Sequence, residues 1–123
     1  MILRKVADHQ VKHSPWCGEI REILDAKAYA PLSVAVAVDI KPTTAHFHRT
    51  FDEIYFVLDG SIRLRLHDTH TGKTWEESLQ ANELFVISQG LHHGIVEASP
   101  SNRLCVICSP PFNPQDETTS ERI

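Results

Sequence analysis

Ala45-His46-Phe47-His48-Arg49-Thr50-Phe51-Asp52-Glu53 is the stretch that decides how the rest of the chain is read. On a strand, His46 and His48 stand two apart and both rings leave the same face, about 7 Å apart at Cα. Two imidazoles so placed can close on one divalent ion at roughly 2.0–2.2 Å per bond. Glu53 lies an odd number of residues beyond His48, so along an unbroken strand it points the other way. A loop or bulge over residues 49–52 must reset the phase if Glu53 is to join the pair, and Thr50 and Asp52 are turn formers.

Outward from this stretch the chain reads as strands. Glu53 to Leu58 is apolar on both faces, and Asp59 with Gly60 turns it back into Ser61 to Leu66, where Ile62, Leu64 and Leu66 alternate with Arg63 and Arg65. A hairpin tip at Asp68 to Lys73 leads into Thr74 to Leu79, followed by Leu84 to Ser88, His93 to Glu97, and Leu104 to Cys108, which Pro110 and Pro111 stop. On the N-terminal side, Val34, Val36, Val38 and Ile40 alternate with small or polar residues over Leu32 to Ile40. Glu19 to Leu24 is a strand or a helical turn, and His13, Ser14, Pro15 and Gly18 mark a turn-rich beginning. Short strands with frequent turns and no long helix predict an all-β sandwich or barrel. Phe112 to Ile123 is polar and acidic enough to be a tail lying on the surface or a strap across a neighbour.

A second source of imidazole is Ser88-Gln89-Gly90-Leu91-His92-His93-Gly94. Adjacent strand residues face opposite ways, so one of His92 and His93 can join His46 and His48 and the other cannot easily. Two histidines and a carboxylate suit iron(II), and a third histidine widens the candidates to manganese, nickel, copper, cobalt and zinc.

Composition narrows the classes. A chain of 123 residues has room for one domain, taken as 1–123, and 41% hydrophobic with 23% charged residues is ordinary for a globular protein. The net charge of −4 argues against a nucleic-acid binder, and no helix-turn-helix pattern is present. No apolar run approaches the roughly 18 residues of a membrane span, and the first ten residues contain no secretory apolar core. Three cysteines fit a reducing compartment, so a cytoplasmic location is expected. Eight histidines are the anomaly, with four of them in the two tight pairs.

The spacing resembles that of the cupin superfamily. A first motif, placed at 45–60, reads His46-x-His48, four residues, Glu53, six residues, Gly60, which is the family's full spacing. A second, placed at 82–93, matches at Ile87, Gly90 and His93; Asn82-Glu83 replaces the opening glycine and aspartate, and Ser88 replaces a proline. Asn82 tolerates a left-handed turn, so that departure is mild, and Ser88 only loosens a loop. The likeness covers Val34 to about Pro111. It implies a double-stranded β-helix barrel (the cupin jelly roll) with a divalent transition metal on His46, His48, Glu53 and His93, and with His92 outside the ligand set. It implies a small organic substrate and an enzyme of dioxygenase or isomerase type; the alternatives are a non-catalytic small-ligand binder and a barrel with a structural metal.

Other residues are read more plainly. Cys105 and Cys108, three apart on an apolar strand, face opposite sides and serve as small hydrophobes, though the inward one could line the pocket. Arg63 and Arg65 belong in solvent. Tyr55 shares the face of Glu53, as a pocket wall with catalytic potential or as core. His9, His13, His67 and His70 belong on the surface, and Trp16 and Trp75 in packing. No acid or base beyond the ligand set and Tyr55 presents itself. The doubly apolar strand and the tail both want cover, which predicts a homodimer.

Overall fold

In a computed structural model, which describes residues 1–14 and 18–123, the alternation becomes strands β1 (Lys12–Ser14), β2 (Gly18–Leu24), β3 (Ser33–Val38), β4 (His46–Phe47), β5 (Asp52–Asp59), β6 (Ser61–His67), β7 (Thr74–Gln80), β8 (Leu84–Ile87), β9 (His92–Ala98), β10 (Arg103–Ser109) and β11 (Thr118–Thr119). Beyond a 3-10 turn at Val6–Asp8, no helix occurs among the described residues. None there is long and apolar enough to cross a membrane. The Glu19 to Leu24 ambiguity resolves as a strand, and residues 12–14, expected as part of a turn, pair with β2. Pro15 and Trp16 lie outside the described residues.

All pairings are antiparallel. One sheet runs β1-β2-β3-β10-β5-β8 and the other β11-β4-β9-β6-β7. The chain therefore crosses from one sheet to the other at every connection except β1–β2, β2–β3 and β6–β7. The all-β jelly-roll expectation is borne out.

β6 shows how period two fills the interior. Ile62, Leu64 and Leu66 are buried. Arg63 and Arg65 stay on the outer side, paired with Glu76 at 2.8 and 3.2 Å, and Arg63 also reaches Glu97 at 2.6 Å. These pairs are solvated and add little stability. Trp75 packs half-buried against the core beneath Lys73.

In β3 the small residues face inward. Ala37 is in the core and Ala35 packs against it, in register with Leu104 and Val106 of β10. Val34 and Val36 pair instead with Ile107 and Cys105 on the outer side.

Turns tie the two motifs to this frame. Gly60 has φ +78° at the β5–β6 turn, and a Cβ there would lie 2.4 Å from both Ser101 O and Ser99 Oγ. Asn82 has φ +71° before β8, as its tolerance of left-handed backbone leads one to expect. The loop expected to be loosened by Ser88 is held: Leu91 N–H donates to Ser88 O at 3.1 Å, and Gly90 N–H donates to His48 O at 2.7 Å.

Candidate metal centre

His46 begins β4, the two-residue strand opposite His93 of β9. His48 follows the end of β4. The chain then bends at residues 49–50 and enters the other sheet with Asp52, so Glu53 approaches the histidines from the facing layer. This change of sheet is the phase reset that the odd spacing requires. One ligand-type atom from each of His46, His48, Glu53 and His93 lies within 4.8 Å of the others. All four side chains are 1–2% exposed.

The polar atoms here are directed with care. His46 and His93 donate Nδ1–H to the carbonyls of Thr44 and Leu91 at 2.9 and 3.0 Å. That tautomer leaves the Nε2 lone pairs facing the centre, the orientation a metal requires. Glu53 Oε1 lies 3.4 Å from His48 Nε2 and 3.3 Å from His93 Nε2, yet none of these three atoms has a hydrogen-bond partner. Buried polar atoms left this way cost stability unless a further group satisfies them. Three imidazoles and a carboxylate converging in this manner fit a divalent ion.

The titration of these groups follows the same crowding. Burial would push the Glu53 carboxyl up, but the neighbouring His48 and His93 rings outweigh it and hold it well below the usual range. His46 is lowered to about 4 by burial and by His93. His48 is raised, because Glu53 overcomes the effect of burial.

His92, next along β9, points to the opposite face. Its ring stacks on Phe47 with centroids 4.2 Å apart and shares a 2.7 Å hydrogen bond with Ser120 Oγ. Cys108 is the inward member of its pair: its thiol donates to Glu53 Oε2 at 3.6 Å, and burial followed by Glu53 pushes it up, so it stays protonated. Cys105 faces outward. Tyr55 is buried two residues after Glu53, its ring edge-on to His93 at 6.3 Å. Phe51 stacks on His48 at 4.2 Å and meets Phe112 edge-on. A cavity of about 20 Å3 touches the centre through Glu53 and Cys108, bounded also by Glu22, Ser33 and Phe112. That is room for about one water. His13 and His70 are exposed, whereas His9 and His67 are half-buried.

One acidic group escaped the sequence reading. Glu117 comes from the segment expected to be a surface tail or a strap across a neighbour; the segment instead lies along its own chain, with β11 paired to β4. The Glu117 side chain is 2% exposed, and its Oε1 is 4.0 Å from His46 Nε2. Burial, with Glu53 nearby, pushes it up to about 7. The expectation of no further acid is corrected. The signals were a β-branched pair at Thr118-Thr119 and the apolar Phe112 within the polar run, but nothing there singled out Glu117 from Asp116 or Glu121.

No family model matches this sequence, and no curated protein matches it. Among solved structures, a protein from Planctomyces limnophilus is similar with TM-score 0.75 and 24% identity, over 95% of each chain. Oxalate decarboxylase from Bacillus subtilis is similar with TM-score 0.79 and 16% identity, over 96% of this chain and 32% of that one. This chain thus spans about a third of that protein. A Streptomyces PAC13 variant with uridine is similar with TM-score 0.77 and 14% identity, over 98% of this chain and 92% of that one. Likeness at such identities is likeness of fold.

Proposed function

We propose that this chain, a small cupin by fold, holds a divalent transition metal on His46, His48, Glu53 and His93 and acts on a small organic molecule in the manner of an oxygenase or isomerase. The observation that carries the metal reading is the buried convergence of four ligand-type atoms within 4.8 Å, with donors on His48, His93 and Glu53 that no protein group satisfies. The ion is iron(II), manganese, nickel, copper, cobalt or zinc; three nitrogens and one oxygen suit each of them. When bound, such an ion polarises a carbonyl or lowers the pKa of a water.

The protein's own groups supply the setting. Thr44 and Leu91 carbonyls aim two of the rings, and Cys108 holds the outer oxygen of Glu53. Phe51 and Phe112 keep bulk water away. Tyr55 forms a wall beside His93 and is the residue proposed to meet the substrate. A cytoplasmic placement rests on cysteine usage, Cys105 and Cys108 both being free thiols.

Elemental analysis of the wild type against His48→Ala tests the centre. About one metal ion per chain is expected in the first and none in the second, with the far-UV spectrum unchanged; equal content in both would refute the assignment. Oxygen uptake by the iron(II)-loaded protein with catechols, thiols and diketones then tests the oxygenase arm, and silence across the panel counts against it. A second reading, a metal that only staples the barrel, is favoured by the one-water size of the adjoining cavity. It gains if stripping the metal lowers the melting temperature sharply and leaves small-molecule binding unaltered.

A further inference from the structure

Glu117 is a buried acid that the ligand set leaves unused. Resting on the metal reading above, we infer that Glu117 is the second carboxylate of the centre, a positioning residue that accepts a hydrogen bond from the ligand or water entering between itself and the metal-binding groups.

Its direction is imposed from both sides in sequence. On one side, the Asp116 carboxylate accepts hydrogen bonds from the backbone N–H groups of Arg49 and Thr50 and from the Thr50 hydroxyl. On the other, Thr118 and Thr119 pair with Phe47 and His46, and Ser120 N–H donates to Ala45 O at 2.9 Å. Thr118 and Thr119 are exposed, while the residue between the latch and β11 turns inward. The strap thus delivers Glu117 to the interior, between Phe112, which packs against the core, and Ser120, which bonds His92.

The two carboxylates divide the histidines between them. Glu53 lies against His48 and His93, and Glu117 lies against His46. Glu117 is not among the four residues whose atoms converge within 4.8 Å, so it is placed as an outer group and not as a ligand. Its Oε1 is fully enclosed with no hydrogen-bond partner, although a buried carboxylate oxygen ordinarily has one. A second buried acid also sets the class of ligand. It favours a molecule with a hydrogen to offer, such as a hydroxyl or a water, over a bare small anion that two carboxylates would repel.

Cobalt(II) alone is the probe, at a pH well above 7 so that Glu117 is ionised, with azide as the competing anion. Wild type is expected to take one cobalt per chain. Glu117→Gln should keep that stoichiometry and the intensity of the visible bands, bind cobalt about tenfold more weakly, and bind azide at the loaded centre about tenfold more tightly. A merely structural Glu117 would lower the melting temperature without strengthening azide. Unchanged azide affinity in the folded, loaded variant overturns the inference, and so does a large change in band intensity, which would make Glu117 a ligand. If Glu117→Gln does not fold, Asp116→Ala, which releases the latch, should give the same gain in azide affinity, and its absence is equally decisive. Failure of the wild type to bind cobalt at all would instead bring down the metal centre itself, and the inference with it.

Discussion

Gly60 and Gly72 share a backbone conformation and differ in their surroundings. Their φ angles are +78° and +73°, but a Cβ on Gly60 would strike Ser101 O and Ser99 Oγ, while one on Gly72 would meet nothing within 4 Å. Left-handed backbone costs an alanine about 1–2 kcal/mol at either place. Overpacking adds about 1–3 kcal/mol only at Gly60, where Ser99 Oγ is fixed by accepting from Ser61 N–H at 3.0 Å and donating to Ser101 O at 2.8 Å. Gly60→Ala should therefore lose roughly 2–5 kcal/mol in urea unfolding, and Gly72→Ala clearly less. Equal losses would mean that the turn yields. Gly60 was legible from motif spacing, and so were His46, His48, Glu53 and His93, because ligand geometry constrains sequence separation. The choice between His92 and His93 was not settled by alternation alone, since either ring could face the centre until the register His46↔His93 fixed it.

At the scale of the element, the strap is the least legible part of the chain. Strand pairs were readable because their alternation is repeated over many residues, as in Ile62, Leu64 and Leu66. β11 is two residues long, and it is held by side-chain hydrogen bonds between segments 66 and 67 residues apart. No local pattern encodes such contacts. Asp116 is the latch, and its titration can report docking. Burial works to raise its pKa, but the Thr50 hydroxyl and the N–H groups of Arg49 and Thr50 outweigh burial and lower it, His48 adding a smaller pull in the same direction. Its folded-state pKa lies below that of the released segment. Docking is therefore supported by ionised Asp116 above the ordinary value of 3.8 and loses that support as pH falls through the lower folded value. In amide NMR, the Arg49 and Thr50 N–H resonances should titrate with a midpoint below 3.8, together with the resonances of β11. A midpoint at or above that value would show that the latch does not form in solution.

For the whole molecule, the outer face of the six-stranded sheet is the surface we propose for assembly. The sequence showed that Glu53 to Leu58 is apolar on both sides, but it could not say which side of β3 faced in, since one side is small and the other branched. In the fold, two apolar rows cross the outer face: Val34, Ile107, Ile54 and Val86 in one, and Cys105, Phe56 and Leu84 in the other, where the neighbouring Val36 is already buried by its own chain. Ile2, Tyr29 and Leu24 gather near Val34 at one end. At the other end Leu84 and Val86, on edge strand β8, are 53% and 50% exposed. An edge strand with exposed branched residues is a liability unless something covers it. A second copy of the chain offers the same two rows across a two-fold axis, and that self-complementarity is what an isologous dimer needs. The homodimer expected from sequence is accordingly proposed to form through this face. Sedimentation should find a dimer, and the double substitution Leu84→Asp with Val86→Asp should return a monomer that still holds its metal, because Leu84 and Val86 are exposed while Ile87, in register with Glu53, is buried. A wild type that remains monomeric at high concentration would remove the proposal. A double variant that stays dimeric would move the interface elsewhere on the barrel.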